Sequence, residues 1–330
     1  MTEPTIDVLG IGNAIVDILV QTNDSFLTDN DLHKGAMTLV SFDEQMELYE
    51  KTGQAVESSG GSAANTLAGI AALGGKAAFA GKVKADQLGV VFSHDIRGAG
   101  VTYETERAKD GAPTATCLVL ITPDGQRTMQ TCLGACVEFG PKDLDLAQVR
   151  DAKVTYLEGY LWDPEPAREA FFHAAGEAHD AGRKIALTLS DPFCVDRHRD
   201  GFRSFIKDHV DIVFANEEEI KSLFQVDDFM EAANKVQGMA EVVALTRSEK
   251  GSVIVTPDEM ITVPTKPIEK VVDTTGAGDA YAAGFLAAYT SGKSLKHAAT
   301  LGSLLAALII QQIGARPSAG AQHLIKALEG

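Results

Sequence analysis

From about residue 150 onward, short continuous apolar runs alternate with amphipathic stretches, and this rhythm constrains the fold more than any other feature. Lys153 to Tyr160 reads as a strand, followed by a helix from Pro166 to Ala181 with Gly182 as its C-terminal stop. Lys184 to Ser190, Asp211 to Ala215 and Glu241 to Thr246 read as further strands, and Asn216 is placed to cap a helix through Leu223. Apolar strands separated by amphipathic helices are the pattern of a parallel sheet covered on both faces. The expected class is α/β, with a doubly wound, mostly parallel sheet.

Two stretches break the rhythm. Ala115 to Thr122 and Arg127 to Cys132 read as strands joined by the turn Pro123-Asp124-Gly125. Residues 14 to 57 hold more short apolar strands, such as Ala14 to Gln21 and Met37 to Ser41. Together they predict one small β-rich unit beside the main sheet.

The bulk properties narrow the function. A net charge of -17 argues against duplex binding and against docking on an anionic membrane, since both use clustered Lys and Arg. Nucleotide binding stays open, because local dipoles and a metal ion hold phosphates inside acidic proteins. The segment Met1 to Asp7 lacks the features of a secretory signal, and the apolar run Leu304 to Ile310 is too short to span a bilayer. The four cysteines, 117, 132, 136 and 194, have no zinc-type or redox spacing, so they read as buried thiols and a cytoplasmic location is expected.

The most pointed motif is Asp273-Thr-Thr-Gly276-Ala277-Gly278-Asp279, which opens a helix whose Ala280, Ala283, Gly284, Ala287 and Ala288 form a small, close-packing face. Gly276 and Gly278 then lie where free amides and the helix dipole favour an anion. Asp279 reads either as a charge that stabilises the dipole or as a base for an attacking hydroxyl. A second pair opens another helix in Gly60-Gly61-Ser62-Ala63-Ala64-Asn65, ended by Gly74; it reads as a capped turn or as a site where Asn65 meets adjacent hydroxyls. Asp17, inside Ile15-Val16-Asp17-Ile18-Leu19, needs partners if buried, and substrate hydroxyls or a solvated edge would serve. Asn216-Glu217-Glu218-Glu219 follows a strand and reads as a solvated first turn or as the organiser of a hydrated Mg²⁺. The opening Gly10-Ile-Gly12-Asn13 lacks the third glycine of the dinucleotide fingerprint, and no P-loop, H-E-x-x-H or nucleophile elbow occurs.

These residues together resemble the ribokinase (PfkB) superfamily of carbohydrate kinases, and the adenosine kinases within it most closely. The match runs from about residue 6 to residue 318, carried by the D-T-x-G-A-G-D run at 273–279, G-G-x-x-x-N at 60–65 and N-x-x-E at 216–219. Thr116-Cys117, Thr188-Leu189-Ser190 and the tail Ala306 to Gly314 look like the adenosine kinase branch. The resemblance implies one ribokinase-like kinase domain over residues 1–330, with a lid formed by about 14–57 and 105–135. It implies ATP-dependent phosphorylation of the 5′-hydroxyl of adenosine, with a sugar such as ribose or fructose as the alternative acceptor. Asp279 becomes the base, and the amides of Gly276, Ala277 and Gly278 the anion hole. Asn13, Asp17, Gly61, Ser62 and Asn65 would hold the acceptor, and Arg127 would reach the transferred phosphate. Asn216 and Glu219 would order Mg²⁺ through water, and Asp273 would stand at a monovalent cation site for K⁺. ATP would lie along Thr246 to Gly251 and against the helix near Leu304 to Gly314.

Three positions depart from the family pattern. The nucleotide loop Thr246-Arg247-Ser248-Glu249-Lys250-Gly251 has Ser248 where the family places a glycine. Met37 replaces a common glutamine, and Leu161 replaces an aromatic ring that packs on the base, with Trp162 as a neighbouring substitute.

Overall fold

The computed structural model describes residues 3–317 and 320–329. The sequence readings that touch Met1, Thr2, residue 318 and Gly330 lie outside the described residues.

Nine strands lie side by side: β14 (Met260–Val263), β13 (Ser252–Val255), β12 (Val242–Thr246), β11 (Ile212–Asn216), β10 (Lys184–Thr188), β9 (Ala152–Glu158), β1 (Ile6–Ile11), β5 (Ala77–Ala80) and β6 (Thr102–Tyr103). Every pairing from β12 to β6 is parallel, and β13 and β14 close one edge as antiparallel strands. Successive side chains serve opposite cores, so the strands are apolar throughout. Ile212 and Phe214 face one side, while Val213 and Ala215 face the other.

On one side pack α3 (Ser62–Ala72), α4 (Gln87–Gly98), α10 (Ala277–Thr290), α11 (Leu295–Ile309) and α12 (Gln322–Glu329). On the other lie α5 (Leu146–Asp151), α6 (Glu165–Asp180), α7 (Pro192–His209), α8 (Glu217–Phe224) and α9 (Phe229–Val236). The small face of α10 does what its alanines and glycines predict. A Cβ on Gly284 would lie 2.7 Å from Gly302 of α11, and one on Gly69 of α3 would lie 2.7 Å from the Cβ of Ala283. Close backbone approach brings the starts of α3 and α10 together.

A second sheet holds β3 (Met37–Leu39), β8 (Arg127–Cys132), β7 (Ala115–Ile121), β2 (Ile15–Gln21) and β4 (Ala55–Gly60). The turn at 123–125 joins β7 to β8 as antiparallel neighbours, with Gly125 at φ +79 and its amide on the Thr122 carbonyl at 2.9 Å. The sequence reading found strands only between 14 and 57; the structure adds α1 (Asp24–Asp29) and α2 (Phe42–Tyr49), the latter opened by a Ser41–Glu44 capping box. These helices bring Leu27 and Leu48 onto Ile18, Val20, Leu118 and Leu120, giving the second sheet its own small core.

The chain passes between the sheets next to the site. It leaves β1 for β2 through residues 12–14 and returns from β4 to α3 through Gly61. There Gly61 has φ +94, and a Cβ would lie 2.2 Å from the Asn13 carbonyl oxygen. It enters β7 after Pro113 and leaves β8 at Gly134, which has φ +43 and the same intimacy with the Pro113 carbonyl, at 2.1 Å.

Candidate active site

The C-terminal ends of β1, β9, β11 and β12 and the starts of α3 and α10 face one crevice, the usual ligand position in an open α/β sheet. At the start of α10, Gly276 is the N-cap in the left-handed region, with φ +73. The Ala277 amide turns back to the Thr274 carbonyl at 3.2 Å. The amides of Gly276 and Gly278 have no acceptor among the described residues. Gly278 is exposed, and a Cβ there would meet nothing within 4 Å.

Asp279 follows in the first turn of α10. Ser62 donates to its Oδ1 at 2.6 Å and the Asn65 amide to its Oδ2 at 3.1 Å. Burial pushes its carboxyl up to about 6, against the pull of these two donors and of Arg316. Asp17, on β2, sits under Gly60, where a Cβ would lie 2.3 Å from its carboxylate. Burial raises it to about 6 as well, opposed by Arg316 and Arg127 and reinforced by Asp279. No described residue donates a hydrogen bond to it.

Asn13 is buried and gives its side-chain amide to Glu158 at 2.7 Å. Glu158, at the end of β9, also accepts from the Ala63 amide at 2.8 Å, and burial lifts it to about 7. It fills the space a side chain at Gly12 would need. Asn13 therefore points inward, at the root of the crevice, while Gly61 lies against its carbonyl.

Arg127 pairs with Asp273, whose carboxylate also accepts from the Thr275 amide at 3.0 Å and the Gly314 amide at 2.9 Å. Three partners thus hold the Asp273 carboxylate in place at the entry to α10. Arg127 Nε is buried and has no partner among the described residues.

Asn216 caps α8, and Glu219 returns the bond to the Asn216 amide at 3.0 Å. Glu219 is buried and raised to about 7, chiefly by desolvation, with Asp191 and Asp279 adding to the rise. No three His, Cys, Asp or Glu side chains converge as direct metal ligands among the described residues. Thr246 ends β12 and Gly251, at φ +85, closes a tight loop; between them Ser248 takes φ +49. Leu304 is buried inside α11, which ends at Ile309, and the following segment folds back onto Val272 and Asp273.

Three residues of the site escaped the sequence reading: Glu158, Ser59 and Arg316. Glu158 ends an apolar strand as Asp17 interrupts one, and the same reasoning would have found it. Arg316 lies in an irregular tail with no periodic signal. It reaches Asn65 Oδ1 at 2.9 Å, the Ser59 hydroxyl and the Gly60 carbonyl. Trp162 does not stand in for the ring missing at Leu161. Both are buried, and the indole packs among Phe171, Phe202 and Phe205.

A doubly wound sheet with free glycine amides and a carboxylate at one helix start defines a phosphotransferase that uses a hydroxyl acceptor, and the chain belongs to the pfkB family of carbohydrate kinases, whose pattern matches residues 35–321. It is similar to the adenosine kinase of Sinorhizobium meliloti, at 50% identity over 98% of this chain and 99% of that one, with a TM-score of 0.94. It is equally similar to a probable sugar kinase of Rhizobium etli CFN 42, at 50% identity over 99% of both chains and a TM-score of 0.95. The adenosine kinase of Saccharomyces cerevisiae is 30% identical over 92% of this chain and 94% of its own length. No helix among the described residues is long and apolar enough to cross a membrane.

Proposed function

We propose that this kinase transfers the γ-phosphoryl group of ATP to the 5′-hydroxyl of adenosine, giving AMP and ADP. The observation that carries this reading is Asp17, a desolvated carboxylate without a hydrogen-bond donor among the described residues, set beside Asp279 and Arg316. Adjacent ribose hydroxyls supply the donors it lacks. The acceptor then lies between Asp17 and Asn65, with Ser62 and Gly61 at its edge and Asn13 beneath. Asp279 takes the proton as the 5′-oxygen forms its bond to the γ-phosphorus and the bond to the ADP oxygen breaks. Positioning and charge stabilisation do most of the work in such a transfer. The amides of Gly276 and Gly278 face the developing charge, and Arg127 adds a cation.

Glu219 and Asn216 fit a hydrated Mg²⁺, because the raised Glu219 lies among other acids whose repulsion a cation relieves. When bound, the ion neutralises charge on the phosphates. Thr246 to Gly251 and the C-terminal part of α11, with Leu304 behind it, form the nucleotide side. The second sheet, from about 14–57 and 105–135, is the lid over the acceptor.

A free sugar is the second reading, favoured by the burial of Leu161 and Trp162, which leaves neither as an exposed face for a base. ATP consumption with a panel of nucleosides and sugars separates the two. Turnover with adenosine far above that with ribose or fructose is expected, and the reverse order overturns the adenosine assignment. Asp17→Ala tests the site itself by calorimetry. Loss of one charge-assisted bond, about 1.5–3 kcal/mol, weakens the acceptor roughly tenfold to hundredfold and leaves ATP binding unchanged without acceptor present.

A further inference from the structure

We propose that Arg316 is a positioning residue for the transfer, fixing the Asp279 carboxylate through the Asn65 amide instead of pairing with it. The proposal rests on the reading of Asp279 as the base. Arg316 Nε donates to Asn65 Oδ1 at 2.9 Å, and Asn65 Nδ2 donates to Asp279 Oδ2 at 3.1 Å. The other oxygen of Asp279 is held by Ser62 at 2.6 Å.

A guanidinium only donates and an ionised carboxylate only accepts. One orientation of the Asn65 amide satisfies both; the flipped one sets its carbonyl against the carboxylate and its NH₂ against the cation. Arg316 therefore decides which way Asn65 faces. Its own plane is held by the Ser59 hydroxyl and, at 3.4 Å, the Gly60 carbonyl, both at the end of β4.

The neutral amide between the charges has a chemical purpose. A direct arginine pair favours the ionised carboxylate strongly and leaves a weak base. An intervening amide passes on orientation while weakening that pull, and a base works best near its operating pH. Asp279 at about 6 is so placed, and Arg316, pushed down to about 10 by burial, stays charged at neutral pH. The ionisable groups facing Asp279 are Asp17 on β2, Tyr156 and Glu158 on β9, Tyr160 just beyond it, Glu219 on α8 and Arg316. Of these, Arg316 alone is a cation.

The test is steady-state kinetics of Arg316→Gln and Arg316→Lys across about pH 5–9, using the acceptor that the wild type phosphorylates. Arg316→Gln should lower kcat roughly tenfold to hundredfold and move the acidic limb to higher pH, because a cation no longer favours the carboxylate. Arg316→Lys keeps the charge without the planar fork, so its limb should stay near that of wild type while kcat remains low. Wild-type kcat in either folded variant overturns the proposal. So does a loss of folded protein alone, with kcat per active site and the acidic limb unmoved. Failure of the base reading appears elsewhere, as wild-type turnover in Asp279→Asn, whatever the arginine variants do.

Discussion

Arg127, at the head of β8, forms an ion pair with Asp273 in the loop entering α10, and so ties the second sheet to the glycine turn that opens that helix. The side chains are 8% and 6% exposed, and Asp273 is further anchored by the Thr275 and Gly314 amides. The buried Nε of Arg127 has no partner among the described residues.

Removing the cation alone strands a buried carboxylate. Arg127→Met should cost about 3–5 kcal/mol of stability, the usual penalty for breaking one side of a buried pair. Adding Asp273→Asn should recover part of that loss. Urea denaturation of both variants is the check, and a single mutant within about 1 kcal/mol of wild type contradicts it.

Burial raises Asp17 and Asp279 to about 6 and Glu158 and Glu219 to about 7. Each holds its proton more tightly folded than unfolded. Its contribution to stability is therefore present at low pH and lost as pH rises through 6 to 7. With Asp279 in its proposed role as base, activity runs the other way, because a base must be ionised, and kcat/KM should fall below about pH 6. Asp279→Asn should melt above wild type at about pH 8, lose that advantage near pH 4, and turn over roughly two to four orders of magnitude more slowly. A variant less stable than wild type at the higher pH sinks the burial account.

The two glycines at the start of α10 should fail differently. Gly278 has open space where a Cβ would go, so Gly278→Val should fold normally and lose turnover by crowding the amides. Gly276 has φ +73 and a Cβ there would lie 2.5 Å from that of Ala315. Gly276→Ala should cost about 1–3 kcal/mol of stability. Paired melting curves and rates separate the cases; a Gly278→Val enzyme with normal kcat moves the anion site elsewhere.

Ser248 is an exposed non-glycine residue in the left-handed region, φ +49, where the family loop carries glycine. That conformation costs an L-residue roughly 1–2 kcal/mol, and the added chain entropy of glycine returns about half. Ser248→Gly should gain about 0.5–1 kcal/mol in chemical denaturation. A loss of stability would mean that the serine side chain compensates the strain.

The sequence made the architecture legible because each core strand is apolar on both faces, as Ile212 to Ala215 shows, and because Gly276 and Gly61 mark helix starts. The predicted 153–160, 184–190 and 211–215 strands match β9, β10 and β11 within two residues at each end. The roles of site side chains were less legible, because several depend on pairings between residues far apart in the chain. Asn13 and Glu158 are 145 residues apart, and Arg316 and Asn65 are 251 apart. No local pattern records such a meeting. The burial of Trp162 was hidden for the same reason: its aromatic partners come from α6 and α7, and α7 is kinked at His198, which disrupts its helical period.

The crossings between the sheets come in two pairs, Asn13 with Gly61 and Pro113 with Gly134. In each, a glycine presses its bare Cα onto a carbonyl of the other strand. Such contacts act as spot welds between the two sheets. They lie close together, since the Cys136 thiol, two residues past Gly134, donates to the carbonyl of Ala14, which follows Asn13. A side chain at either glycine would have to push the crossings apart to fit, so the spacing of the two sheets is written into two missing Cβ atoms.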